Sequence, residues 1–177
     1  MNVPKDRAAD IDRTFASTPR ILEFLSKETG VEYRYAVYRQ VAVSEFTWGG
    51  MENIAATTLN DQTLHDERAH SDWPSDSLVA HEAAHQWFGD YVTCRDWEDT
   101  WLNEGFATYY AALAMGDLHG PEQLVVEIDG MRQGAVGADS GDRRRPVVTN
   151  RWRHEGEMFD GHSYAKGGMV LHALRRE

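Results

Sequence analysis

Apolar residues near the start of the chain fall at helical spacing. Ile11, Phe15, Ile21, Leu22 and Leu25 supply the buried face of a helical beginning, Thr18-Pro19 marks a start or kink in it, and Gly30 closes it. From Val31 to Phe46 aromatic and β-branched residues alternate with polar ones, with Val37, Val41 and Val43 carrying the pattern, which predicts one or two strands. Ile54 to Leu59 is a further strand-like run. Pro74, Ser75, Asp76 and Ser77 offer starting and capping residues for a helix that Gly89 ends, about three turns in all. A second helix carries Asn103 to Ala114 and stops between Gly116 and Gly120, before Pro121. Glu122 to Met131 predicts another, Gly134 to Ser140 reads as a loop, and Tyr164 to Arg176 reads as a last helix. Mixed strands and helices of this kind predict an α+β domain.

The first of the two central helices holds His81-Glu82-Ala83-Ala84-His85. Residues four apart stand one turn apart on a single helix face, so His81 and His85 can aim two imidazole nitrogens at one ion. Glu82 projects from the same turn at another angle, where it can take a proton without being a ligand. Glu104, with eighteen residues between it and His85, supplies a third ligand from the second helix folded back on the first. Two histidines and one glutamate leave a fourth tetrahedral position open, which is the pattern of a catalytic zinc site rather than of a closed structural one. Leu78 and Phe88 lie three residues outside the histidines and would flank the ion with apolar packing.

Two other segments say which zinc chemistry is meant. Gly49-Gly50-Met51-Glu52-Asn53 precedes the strand-like run, and Tyr164-Ala165-Lys166-Gly167-Gly168-Met169-Val170-Leu171 lies beyond Glu104, with Phe159-Asp160 ahead of it. Paired glycines alone most often mark a turn, and a lone Glu52 is ordinarily a solvated carboxylate. Together with HEAAHQWFGD and WLNEGFATYY, however, they make the chain resemble the zinc aminopeptidases of the aminopeptidase N type, from about Ile21 to its end.

That resemblance implies a thermolysin-like catalytic domain, a gluzincin, with a mixed α/β lobe and a helical lobe around a cleft. His81, His85 and Glu104 would bind one Zn(2+), and Glu82 would be the general base. Tyr164 would stabilise the tetrahedral intermediate, and Glu52 would hold the free amino group of a peptide. Gly49, Gly50, Met51 and Asn53 would border the cleft along the substrate backbone. The expected partners are therefore peptides with a free N-terminus. If Ile54 to Leu59 is an exposed edge strand, it would also align such a peptide through backbone hydrogen bonds.

Members of that family usually carry a β-rich domain before the catalytic one and a longer helical region after the tyrosine segment. Neither pattern is present, so the chain resembles a truncated or reduced catalytic core, with an α/β lobe over about residues 1–89 and a mainly helical lobe over about 90–177. A thermolysin-like endopeptidase would share the metal chemistry but not the GGMEN segment. An epoxide-hydrolysing relative has no separate signal, and a catalytically silent zinc-binding fragment is the alternative of a different class.

Composition narrows the setting. With 177 residues, 41% of them hydrophobic, the chain is long enough for one domain with a real core. A net charge of -11 argues against nonspecific attraction to nucleic acid or anionic membranes, and Arg143-Arg144-Arg145 is too short to reverse it, being a solvated turn or a set of ion pairs. Cys94 is the only cysteine, so no internal disulfide forms, and it reads as ordinary packing. No apolar run approaches a membrane span, and the polar start from Asn2 to Asp6 is no signal peptide, which makes a cytoplasmic setting without membrane insertion the expectation. Trp48, Trp87, Trp97, Trp101, Tyr109 and Tyr110 read as core or cleft wall, and His65, His70, His154 and His162 lack ligand spacing.

Overall fold

A computed structural model describes residue 3 and residues 5–72, 75–142 and 144–177. Asn2, Pro4, the helix-opening Pro74 and the first arginine of the run, Arg143, lie outside these residues. A short 3-10 turn, Lys5–Asp10, leads into α1 (Ile11–Phe15) and α2 (Thr18–Thr29). The two helices break at the residues before Pro19, which occupies the first turn of α2, where its missing N–H costs no hydrogen bond. Gly30 ends α2 in the left-handed region, φ 69°, and its N–H returns to the Lys27 carbonyl. Phe15, Ile21 and Leu25 are buried as their spacing predicts, each worth about 1.5–3 kcal/mol of transfer free energy.

Three strands follow: β1 (Arg39–Val43), β2 (Gly50–Met51) and β3 (Ala56–Asn60), in the spatial order β1-β3-β2. The β1–β3 pair is parallel, whereas β2 runs antiparallel to β3 with Gly50 opposite Leu59 and Met51 opposite Thr58. Two expectations change here. β3 lies between β1 and β2, so the strand part of the segment from Ile54 to Leu59 is not an edge; on the GGMEN side the edge is β2 itself, which pairs with Thr58 and Leu59. In β1 the buried residues are Gln40 and Ala42, not the valines, because Gln40 faces α2 and its side-chain carbonyl accepts a hydrogen bond from the Thr18 hydroxyl at 3.0 Å.

The remainder is helical: α3 (Asp76–Ala84), α4 (Trp101–His119), α5 (Pro121–Asp139) and α6 (Gly167–Arg175). α3 is nine residues long, shorter than expected, because beyond Ala84 the backbone tightens into i→i+3 bonds such as Gln86 N–H to the Ala83 carbonyl. Ser75 stands at its N-cap without capping it; the hydroxyl is turned to the Thr63 carbonyl instead. α5 continues through the stretch from Gly134 that reads as a loop. Gly134 is there because α5 presses on the tyrosine segment: an added Cβ would stand 2.9 Å from the Ala165 methyl. Tyr164 lies on a single π-helical turn, His162–Lys166, with α6 beginning only at Gly167. Among the described residues, no helix is long and apolar enough to cross a membrane.

Candidate metal centre

α3 and α4 pack along one another through small residues. Ala80, Ala83 and Ala84 on one helix, and Ala107, Ala111 and Ala114 on the other, are all buried. Methyl-sized contacts let the two backbones approach closely, and that approach carries Glu104, in the first turn of α4, to the histidines of α3. The N-terminal end of α4 also favours a negative side chain there.

His81 Nε2 lies 3.2 Å from Glu104 Oε2, His85 Nε2 lies 3.2 Å from the same oxygen, and the two Nε2 atoms are 3.1 Å apart. These are the three side chains, among the described residues, whose donor atoms converge as a metal site requires. His85 Nδ1 is 2.9 Å from the Phe88 carbonyl and donates its hydrogen to it, so Nε2 is the nitrogen that would take a cation once its own proton is lost. Two imidazole nitrogens and one carboxylate oxygen, buried and aimed at a common point, fit a four-coordinate divalent ion with one position left over. Phe88, expected beside the ligands, stacks on Phe106 at 4.6 Å.

Burial dominates the electrostatics. It opposes charge on His81, whose pKa falls below the usual histidine value despite the nearby Glu104. Burial opposes charge on His85 as well, but hydrogen bonding and attraction to Glu104 outweigh it and raise its pKa to about 9. For Glu104, burial is likewise overcome, by hydrogen bonds from both histidines, and its pKa falls to about 2. Glu82 makes no such bond. Its buried carboxyl is pushed up to about 8, with Glu52, Glu104 and Asp90 adding to the effect and His85 opposing it.

Tyr164 faces this group from the other side, its ring stacked on that of His81 with centroids 5.8 Å apart. Burial, and then the charge of Glu104, hold the phenol far above its ordinary pKa, so it is a hydrogen donor at neutral pH. The GGMEN segment passes directly behind Glu82. A Cβ at Gly50 would collide with the Glu82 carboxylate, so only glycine permits that approach. Glu52 is half-buried, and its charge is felt at Glu82, Asp90 and Tyr164. Gly49 lies against Leu78, Met51 is exposed, and the Asn53 side-chain carbonyl accepts a hydrogen bond from the Thr58 hydroxyl at 2.9 Å. His81, His85 and Glu104 thus converge, with Glu82, Gly50 and Tyr164 beside them and the charge of Glu52 within reach.

Other contributors have no role that the motifs announce. Gln86 and Asp90 lie behind the Glu52 loop; the signal for Gln86 is its place one residue past a metal-site histidine, in a stretch where every neighbour is apolar or a ligand. Beneath Tyr164, His162 is buried between Asp160, at 3.0 Å, and Asp139, at 3.3 Å, while Arg145 pairs with Asp160 at 2.7 Å. Arg145 therefore makes an ion pair, as one reading of the arginine run expects. His65 is buried too, held by Ser75 and His70. Trp87 and Tyr109 are core, but Trp48 and Trp97 are exposed and flank the Phe159 ring at 6.3 and 6.1 Å.

Fold and site together define an α+β domain with an open two-histidine, one-glutamate centre between paired helices. Residues 13–177 match the peptidase family M1 domain, and the chain belongs to that family. It is 31% identical over 191 residues to probable aminopeptidase 2 of Sulfurisphaera tokodaii, an alignment covering 96% of this chain and 24% of that protein. Aminopeptidase N of Streptomyces lividans is 32% identical over 173 residues, covering 93% of this chain and 20% of that protein. Endoplasmic reticulum aminopeptidase 1 of Mus musculus is 33% identical over 177 residues, with 96% and 19% covered. The structure of yeast LTA4 hydrolase in complex with bestatin superposes with a TM-score of 0.82 at 25% identity, over 98% of this chain and 28% of that one. The chain thus spans a quarter or less of the length of these curated relatives.

Proposed function

We propose that the chain carries the catalytic centre of a zinc aminopeptidase, which removes the N-terminal residue of peptides. The observation that carries this reading is the convergence of His81, His85 and Glu104 on one point, with an unbonded, buried Glu82 carboxyl beside them and the Tyr164 phenol opposite. His81 Nε2, His85 Nε2 and a Glu104 oxygen would hold one zinc ion. When bound, zinc polarises the scissile carbonyl and makes water at the site a stronger acid.

Glu82 takes a proton from the attacking water and returns it to the departing amine. Its position against Gly50, with no hydrogen-bond partner among the described residues, leaves the carboxylate free to do both. Tyr164 donates a hydrogen bond to the carbonyl oxygen as that oxygen becomes negative. Glu52 receives the substrate ammonium by a charge-assisted contact, which a blocked or mid-chain nitrogen cannot make. Gly49, Gly50, Met51 and Asn53 border the peptide backbone, and the β2 edge offers it hydrogen bonds in extended form.

The relatives' names support the aminopeptidase reading, since each compared sequence is called an aminopeptidase. The alternative of a different class is a catalytically silent zinc-binding segment. Matched peptides with free and acetylated N-termini, assayed with and without restored zinc, separate these readings. Cleavage of the free peptide only, dependent on zinc and lost in preference with Glu52→Ala, is the expected result. Equal cleavage of both peptides defeats the exopeptidase assignment, and no cleavage by a zinc-loaded chain favours the silent segment.

A further inference from the structure

We propose that Gln86 is a positioning residue that sets the distance between the amino-group site and the metal site, by clamping the loop that carries Glu52 to the end of the helix that carries His81 and His85. The side chain is 2% exposed, and each of its polar groups is used. Its carbonyl oxygen accepts the backbone N–H of Ala55 at 2.8 Å. Its amide nitrogen donates to the backbone carbonyl of Glu52 at 2.9 Å and to Asp90 Oδ2 at 2.7 Å. One side chain thus grips the loop on both sides of Asn53-Ile54, while its backbone adjoins His85.

The loop needs such a grip. Ala55 has φ 57°, a left-handed conformation that a residue with a Cβ adopts only when its surroundings hold it. Ile54 beside it is 55% exposed, so apolar packing does not fix the turn. The other anchors of the turn are the Ala56 N–H to Asn53 carbonyl bond, the Arg39 N–H to Ala55 carbonyl bond and the Thr58 hydroxyl to Asn53 side-chain carbonyl bond, all 2.9 Å, and none reaches the metal-site helix. Gln86 does. Asp90 takes the remaining amide hydrogen and so fixes which way round the glutamine lies.

For a peptide that places its first carbonyl at the metal and its ammonium at Glu52, the separation of the two sites is a ruler one residue long. The inference rests on reading Glu52 as the amino-group ligand, and the test keeps the two apart. Gln86→Met preserves bulk and removes the hydrogen bonds; Gln86→Asn, polar but one methylene too short to span the gap, serves if the methionine variant does not fold. Each is made in the zinc-loaded Glu82→Gln chain so that peptides bind without being cut. Two readouts are taken: amide hydrogen exchange at Ala55, and calorimetric affinity for one peptide with a free or an acetylated N-terminus.

The expected result is faster exchange at Ala55 but not in α4, unchanged zinc content, and a free-to-acetylated affinity ratio reduced about tenfold. Unchanged exchange at Ala55 overturns the clamp. An unchanged ratio in a variant whose Ala55 amide has opened, with Glu52→Ala abolishing the ratio, overturns the positioning role. If Glu52→Ala also leaves the ratio intact, the amino-group reading has failed and the ruler with it, while exchange at Ala55 still decides whether Gln86 holds the loop.

Discussion

Gly105 and Gly167 touch backbone to backbone: a Cβ on Gly105 would stand 3.0 Å from the Gly167 Cα and 3.1 Å from the Ser163 carbonyl oxygen. This contact seats the π-turn of Tyr164 against the helix of Glu104. Gly105→Ala therefore forces the tyrosine segment outward, at a cost of about 1–3 kcal/mol for overpacking. The expected outcome is a lower unfolding midpoint with zinc retained and turnover reduced more than substrate binding. A variant as stable and active as the parent would show that the contact can relax without moving Tyr164.

His81→Ala and Glu104→Ala each remove one donor from a three-donor set, so both lower metal retention after dialysis. Glu82→Gln touches no donor and should keep its zinc while losing turnover. Metal analysis of folded variants reads the difference. Full zinc occupancy in a His81→Ala, His85→Ala double variant sinks the ligand assignment.

Zinc should displace a proton when it loads. In the metal-free chain the His85 pKa is raised to about 9 by Glu104 against the opposing effect of burial, so this ring is protonated at neutral pH, whereas His81 is lowered and neutral. A raised histidine stabilises the fold fully below its unfolded value and loses that contribution as pH rises through about 9. Glu104, lowered to about 2, gives its share above the normal carboxylate range and loses it as pH falls through about 2. Zinc must remove the His85 proton, so its apparent affinity rises about tenfold per pH unit between neutrality and pH 9. Calorimetry in buffers of different ionisation enthalpy should find net proton release on zinc loading near neutral pH, and none would contradict the pairing.

Tyr164→Phe keeps the ring stacked on His81 and removes only the hydroxyl. Zinc content and fold should be unaffected, and the chemical step should slow by roughly 10² to 10³ if the hydroxyl behaves as other oxyanion donors do. Single-turnover rates test this, since a change confined to product release leaves them intact.

The chemistry was more legible in the residues than the packing was. Helical periodicity places His81 and His85 together from sequence alone, and a turn of backbone is all that relation needs. Glu104 was legible because a third donor was required and its own helix was marked. By contrast, Gly134 signals a loop locally but lies inside α5, and what calls for a glycine there is the Ala165 methyl, which sits far along the chain. The central position of β3 depends on β2, a two-residue strand too short for any alternation to announce. Gln40 looks like a surface residue until Thr18 is seen to meet it. Gln86 belongs to the same class, since its three partners come from two separate segments.

The enclosure of α3 has a consequence for how freely this chain can be rewritten. Of its nine residues only Ser77 is exposed; the others serve the core, the metal site or the approach of α4. α5, more than twice as long, buries Met131 alone and turns Val125, Val126 and Val136 outward. A randomised α3 should return close to its starting residues under selection, whereas the outward face of α5 should accept wholesale recoding. The mutational freedom of the domain is thus lodged in its outer helix, which is where tags, labels or solubilising charges can be placed without disturbing the centre.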